Sequence, residues 1–513
     1  MSDLSTLKRH SSHYVLGRIG LLLFGFVSFP LFTRMFSVAE YGEMNLIFRI
    51  VICLVVLSKL GIQNSVVRFY EESVKRGGEV SALEYYSTLF FGTAGLAGLV
   101  TLLFAVAAWL LPSSIISPGL KGFLALCSLL ILIRAEWSIL SGFLQAEGST
   151  KLFNLLDVGI KAGSILVICL LLFTWQKSLT AFFSGTIVVE AVAAAIVIGI
   201  LVYRKVLVLN AFNWEFLQTV LAFGFPLVVY EISSVILDSG DRFLIRNYLG
   251  AEQLGFYSAA YNLSSYAQIS LMVPINLALV PIYMKLWVNK GKRETQAFLS
   301  KSLDMFLLVA IGMCCVVTLI SRDLVVFLAS KKFESSYRLL PILIVGLFIY
   351  SVHIFLTAGL LIYKKTFLMA RQVIYATLLN IGLNIILLPR IGLAGAAWAT
   401  LLSYAFLIAL MVHASFPLLP IQIKYLALLR YICAAVLTYW LVARIHLDNA
   451  LSGIAVRSVS GVTLYYGVLW IIDRQVRGLM AAFVYDRVHV AGNRQSSPLL
   501  VAGTDSSGRE CTE

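Results

Sequence analysis

Apolar runs of about twenty residues follow one another from Tyr14 almost to Tyr485, and this pattern limits the chain more than any other. Each run is long enough to cross a hydrocarbon core of about 30 Å as a helix. With 60% hydrophobic and 13% charged residues, the chain has too little polar surface to cover a soluble fold of its length. An all-α polytopic membrane protein is expected, with about fourteen spans. Lys8, Arg9 and His10 resemble the basic start of a signal peptide. The run from Tyr14 to Phe32 exceeds the ~7–15 residues of a signal's apolar region, so it reads as a retained first span.

Lysine and arginine crowd alternate connections. Lys8 and Arg9 are followed by Arg68, Lys75 and Arg76, then Arg204 and Lys205, then Lys285 to Arg293, then Lys364 and Lys365, and finally Arg474 and Arg477. The opposite connections are poorer, except for Arg322–Arg338. The positive-inside rule places both termini in the cytoplasm. No connection exceeds about twenty residues, and no Walker loop, GxGxxG with a following acid, or HExxH occurs. These absences count against an enzyme and against ATP-driven transport. The cysteines are scattered in apolar runs without CxxC spacing and the histidines stand singly, so no metal site and no cofactor is expected.

One polar box occurs twice. Arg34, Ala39 and Glu40 of "TRMFSVAE-YGEMN" align with Arg246, Ala251 and Glu252 of "IRNYLGAEQLGFYS" at an offset of 212, and Gly42 then aligns with Gly255 after one insertion. Lys151, Phe153 and Thr186 find echoes in Lys365, Phe367 and Thr400 at an offset of 214. The offset covers an even number of spans, so the copies share one membrane orientation. Two parallel six-helix lobes follow, as in several transporter folds. The expected divisions are a cytoplasmic segment 1–13, lobes 14–205 and 214–416, two appended helices in 424–475, and a disordered tail from 486 to 513. In this reading each box is an outer turn, and Gly42 lets the chain turn back into the membrane.

An ionisable side chain at bilayer centre costs ~2.5–3.5 kcal/mol on insertion scales and needs a reason to be there. Arg49, Lys59 and Arg134 have no clear counter-ion on their own helices. With Arg18 and Lys161 they are candidates for a cationic cavity. The alternative is pairing with acids on neighbouring helices. Asp157 and Lys161 are spaced to neutralise one another, and Asp238 and Arg242 share that spacing near a helix end. Arg18 lies where it could snorkel to the membrane surface. Asp157, Glu190 and Glu231 are candidates for coupling to a proton or sodium ion. Tyr230, Tyr257, Tyr261 and Tyr266 could stack on sugars or simply pack. Pro274 and Pro281 could bend one span, and Ala94–Gly98 and Gly392–Ala396 could permit close helix packing.

The stretches "RMFSVAEYGEMN", "NYLGAEQLGFYSAAYNL" and "LNIGLNIILLPRIGLAGAAWATLLSY" resemble the polysaccharide biosynthesis/export family, within the multidrug/oligosaccharidyl-lipid/polysaccharide flippase superfamily. The resemblance covers roughly residues 10–475. It implies a V-shaped pair of lobes with an alternating-access cavity. It also implies the translocation of undecaprenyl-pyrophosphate-linked oligosaccharides for O-antigen, capsule or exopolysaccharide across the bacterial inner membrane. The implied partners are that lipid-linked substrate, membrane lipids, and polysaccharide polymerase and assembly proteins; no nucleic acid is expected. The competing readings are a drug or cation antiporter of the same superfamily and a membrane enzyme acting on lipid-linked sugars.

Overall fold

The computed structural model describes residues 23–75, 80–110, 118–445 and 449–478, together with Gly20 and Leu447. Within them the chain is helical, with no strand. The order is α1 (Leu23–Met35), α2 (Val38–Lys59), α3 (Ile62–Tyr70), α4 (Ala82–Leu110), α5 (Pro118–Ala146), α6 (Thr150–Thr174) and α7 (Leu179–Tyr203). It continues with α8 (Trp214–Leu249), α9 (Ala251–Leu319), α10 (Ser321–Leu328), α11 (Leu340–Ser351) and α12 (His353–Ile362). The last four are α13 (Thr366–Ile391), α14 (Leu393–Ser415), α15 (Tyr425–Val442) and α16 (Ala450–Ile472).

Eleven helices among the described residues are long and apolar enough to cross a bilayer, or twelve with α8. The protein is a multi-pass membrane protein. The expected fourteen spans differ at two places. The α9 segment is one element of 69 residues where the sequence suggests two spans. Of the first span, only the short α1 lies within the described residues. Pro274 and Pro281 sit inside α9, yet its one non-helical residue is Gly291, at φ 78°. A positive φ is cheap for glycine, so the break falls there rather than at a proline.

Local sequence explains the helix starts. Ser37 and Glu40 form a reciprocal capping box at the start of α2: the Glu40 amide donates to Ser37 Oγ (3.2 Å), and the Ser37 amide donates to Glu40 Oε2 (2.8 Å). Ser81 and Glu84 repeat the device before α4, and Asn213 Oδ1 accepts from the Phe216 amide at the start of α8. The first polar box is therefore a helix start. Gly42 does not make the turn expected of it; it lies within α2, one helical turn inside.

Gly42 is needed for a different reason. A Cβ there would stand 2.5 Å from the Ala251 carbonyl oxygen and 2.6 Å from the Gly255 amide nitrogen, and a Cβ on Gly255 would stand 2.0 Å from the Val38 carbonyl oxygen. The two copies of the box thus meet each other, backbone on backbone, where α2 crosses α9. A second crossing closes the other end of α2. Leu60 and Gly61 both take left-handed conformations, and a Cβ on Gly61 would stand 2.4 Å from the Gly224 carbonyl oxygen in α8. Near this point α8 bends by 46° between Phe225 and Leu227.

Apolar packing surrounds these crossings. One buried cluster joins Phe36 and Tyr41 to Leu254 and Tyr257 and extends along α9, α11 and α14. A second joins Ile62, Tyr85, Leu140 and Phe143 to Phe216 and Val220 at the opposite end. Packing within each half is alike in kind: α4 on α5, α5 on α7 and α6 on α7 in the first; α9 on α11, α11 on α14 and α13 on α14 in the second. Gly395 lets α13 and α14 approach closely, whereas Gly98 faces open space and takes no part in such packing. The α15–α16 pair is held against α9 through Leu308, Tyr431, Tyr465 and Leu469.

Candidate functional site: the seam between α2 and α8

Between the two glycine crossings, α2 faces α8 across a seam lined with charge. Arg49 Nη1 lies 2.7 Å from Asp238 Oδ2 and donates to Ser239 Oγ at 3.3 Å. About three helical turns further along α2, Lys59 Nζ lies 3.5 Å from Glu231 Oε1, and Gln63 Nε2 of α3 donates to Glu231 Oε2 at 2.7 Å. Arg49 and Lys59 thus have counter-ions from the other half of the chain. A cavity of about 300 Å³ with mainly apolar walls opens beside the Arg49–Asp238 pair, where Arg49, Cys53 and Ser239 meet Ile236, Phe243 and Ile381.

Asp238 keeps 41% of its side-chain exposure and Glu231 31%, against 23% for Arg49 and 9% for Lys59, so the two carboxylates are not sealed in by protein. An ion pair in that setting exchanges partners at far lower cost than one sealed in the interior, where removing one member costs about 3–5 kcal/mol. The seam can therefore hold itself closed and yet yield its cations to another anion.

Behind the seam is a polar core whose importance the sequence spacing does not show. Asp238 accepts from the Tyr261 hydroxyl through its other oxygen, and Tyr261 lies 3.4 Å from the Tyr404 hydroxyl. Asp241 accepts from the Tyr257 hydroxyl and from Thr400 Oγ1 at 3.4 Å. Arg242 is fully buried; its Nη1 donates to the Asp238 carbonyl (2.7 Å) and to Asp241 Oδ1 (3.3 Å), and its guanidinium lies 4.2 Å from the centre of the Tyr261 ring. Charge-assisted bonds of this kind fix side-chain geometry. Two expectations are corrected here: Arg242 is in the interior and not near water, and it pairs with the Asp241 carboxylate and not that of Asp238. Of the two roles open to Tyr257 and Tyr261, their burial gives packing. Tyr230 and Tyr266 are half-buried, with Tyr266 packed on Phe26 and Phe29.

The remaining candidates gather in the first half. Arg134 makes a two-pronged contact with Glu190, Nε to Oε2 and Nη2 to Oε1, both 2.8 Å, with its guanidinium over the Phe48 ring. Lys161 and Asp157 lie one turn apart on α6, which packs against α5 and α7. Arg18 lies outside the described residues. Among the described residues, no group of three or more His, Cys, Asp or Glu is placed to hold a metal ion.

At the box end, further bonds cross the seam. Arg246 Nη2 lies 2.7 Å from Glu43 Oε1, and Asn262 Nδ2 donates to the Tyr41 hydroxyl and to Asn45 Oδ1. Arg34 Nη2 donates to the Phe327 carbonyl at 2.7 Å, and Lys332 Nζ donates to the Phe36 and Arg34 carbonyls. Burial lowers the Lys332 pKa below the ordinary lysine value. The segment from α10 to α11 is thereby strapped over the end of α1.

A helical membrane bundle whose two halves meet along a charged seam has the form of a transporter. The model of a family described as "polysaccharide biosynthesis protein" matches residues 7–287, more than half of the chain, and the chain belongs to that family. Among solved structures, the fold is similar to that of the lipid II flippase MurJ in an inward-closed conformation, with a TM-score of 0.71, 16% identity, and 91% of this chain and 99% of that one covered. It is also similar to an inward-facing multidrug resistance MATE family transporter of the MOP superfamily, with a TM-score of 0.59, 14% identity, and 78% and 92% covered. The all-α, multi-span fold expected from the apolar runs is the fold observed. A curated relative, the probable low-salt glycan biosynthesis flippase Agl15 of Haloferax volcanii, is 23% identical over 199 residues. That match spans 39% of this chain and 42% of the relative's length.

Proposed function

We propose that this protein is a flippase for undecaprenyl-pyrophosphate-linked oligosaccharide repeat units, the precursors of O-antigen, capsule or exopolysaccharide, in the bacterial inner membrane. The observation that carries the reading is the pair of cross-seam contacts, Arg49–Asp238 and Lys59–Glu231, in a chain of this family. A phosphate group competes for the same cations as a carboxylate, and arginine binds its oxygens two at a time. In the proposed cycle the pyrophosphate displaces Asp238 and Glu231 from Arg49 and Lys59 as the seam opens toward the cytoplasm, while the polyprenyl chain stays in lipid. The seam then closes and opens at the box end, and the carboxylates recover their cations as the substrate leaves.

The moving bodies are lobes 14–205 and 214–416, with α15 and α16 carried on the second and both termini in the cytoplasm. Arg134, Lys161 and Arg18 extend the cationic surface in the first lobe. Asp157, Glu190 and Glu231 are the groups through which a proton or sodium ion would couple. Polymerase and assembly proteins would receive the product. No step of this cycle makes or breaks a covalent bond.

The test is depletion of the protein in its own cell. Lipid-linked oligosaccharide should accumulate in the inner leaflet, and an Arg49→Ala, Lys59→Ala, Arg134→Ala triple variant at normal abundance should fail to clear it. Full clearance by that variant would refute the cationic seam as the substrate site. Drug efflux with no accumulation would favour an antiporter, for which Glu231 and Asp238 would be the cation ligands.

A further inference from the structure

A second charged recess lies at the opposite end from the boxes, outside the seam. It is a groove of about 750 Å³ lined by Arg293, Ser300 and Lys301 of α9, Gln422 and Lys424 before α15, and Gln475 after α16. Among the described residues no carboxylate lines it. Beneath it the nearly buried Asp304 accepts from Gln475 Nε2 (2.7 Å) and the Tyr431 hydroxyl (3.2 Å) and lies 3.5 Å from Lys424 Nζ. Lys424 Nζ also donates to Gln475 Oε1 at 2.7 Å. One buried acid thus positions two groups of the wall, Gln475 and Lys424, and balances one of the three cations. Arg293 and Lys301 have no acidic partner among the described residues, so the groove is left with two uncompensated positive charges. It opens beside the first turns of the helix after Gly291 and of α15, whose dipoles add to the positive potential.

Exposed apolar residues adjoin the lining residues in sequence. Tyr425 and Leu426 follow Lys424 directly, Trp470, Ile471 and Ile472 precede Asp473, and all five are exposed. A cationic recess joined to an exposed apolar belt matches an amphiphile with a phosphate head and hydrocarbon tails. A soluble anion would use only the recess.

We propose that this groove binds the phosphate headgroup of an anionic bilayer phospholipid, whose chains lie along α15 and α16. The site is separate from the seam and does not depend on what the seam transports.

Native mass spectrometry of the purified full-length protein in nonionic detergent tests this. The probes are dioleoyl phosphatidylglycerol, dioleoyl phosphatidylcholine and inorganic phosphate. The anionic lipid should bind in preference to the zwitterionic one. An R293Q/K301Q variant should bind it about thirtyfold more weakly, roughly a factor of five for each basic side chain at an anionic lipid surface. The charge-preserving R293K/K301R variant should retain most of the affinity, and an unchanged thermal unfolding midpoint in both variants would show that the fold is intact. Equal binding of the two lipids, or unchanged phosphatidylglycerol binding in R293Q/K301Q, would overturn the proposal. Displacement of the lipid by millimolar inorganic phosphate would overturn the lipid assignment in favour of a soluble anion.

Discussion

At the scale of single residues, the seam depends on charges that find partners only in three dimensions. Lys59 and Glu231 are 172 positions apart and Arg49 and Asp238 are 189 apart, so no helical spacing announces either pair. What the sequence offered was the cost of an intramembrane charge, which singled out Arg49, Lys59 and Arg134 without saying what they touch. It also exposed Asp238 and Arg242 but could not tell which face of α8 they occupy, and so hid the buried Asp241–Arg242–Tyr257–Tyr261 core. Glu231 sits between Lys59 and Gln63 at the basic end of the seam. Glu231→Gln keeps a hydrogen-bond acceptor for Gln63 and removes the attraction to Lys59. That end should open more often, by at least about twofold to fivefold, since ~0.5–1 kcal/mol is the range for exposed pairs and Lys59 is only 9% exposed. The measurement is the rate at which a membrane-impermeant maleimide labels a cysteine placed at Ser138, whose Oγ lies 3.5 Å from Lys59 Nζ. An unchanged labelling rate would mean that the pair does not hold the seam.

Among the elements, the repeated glycines carry the larger message. The repeat was legible because arginine, glutamate and glycine recur at nearly constant offset, but the meeting of its two copies was not, since pseudo-symmetric segments need not touch. The capping box of Ser37 and Glu40 was readable as S-x-x-E and accounts for the acid in the first copy without any binding role. Gly255→Val would set side-chain atoms against the Val38 carbonyl, 2.0 Å from where its Cβ must lie. The box end should then be unable to close, and transport should be lost while the protein still inserts. Gly95→Ala, where an added Cβ meets nothing within 4 Å, is the control. It should preserve transport and raise stability by up to ~1 kcal/mol, the difference between the two residues in a helix. Transport by Gly255→Val at the level of Gly95→Ala would show that this crossing need not close.

For the whole molecule, both ends of the seam are shut in this conformation: one by Gly42 on Gly255 and the Arg246–Glu43 pair, the other by Gly61 on Gly224 and the Glu231 contacts. Alternating access requires each end to open in turn. Cysteines replacing Ser65 of α3 and Val220 of α8, where Ser65 Oγ donates to the Val220 carbonyl at 3.2 Å, should cross-link under oxidation and stop transport, and reduction should restore it. Undiminished transport by the fully cross-linked protein would exclude motion at that end.

The unbroken stretch of α9 bears on how the two ends could communicate. From Ala251 to Lys290 it is continuous helix, about 60 Å at 1.5 Å per residue, roughly twice the thickness of the hydrocarbon core. It begins at the crossing of the two boxes and ends just before Gly291 and the cationic groove. Such an element is a lever arm: a tilt of about 10° about its midpoint would carry each tip some 5 Å in opposite directions, a typical amplitude for domain rocking. A displacement small enough to separate a pair of glycines at one surface would therefore be felt at the phospholipid headgroups of the other.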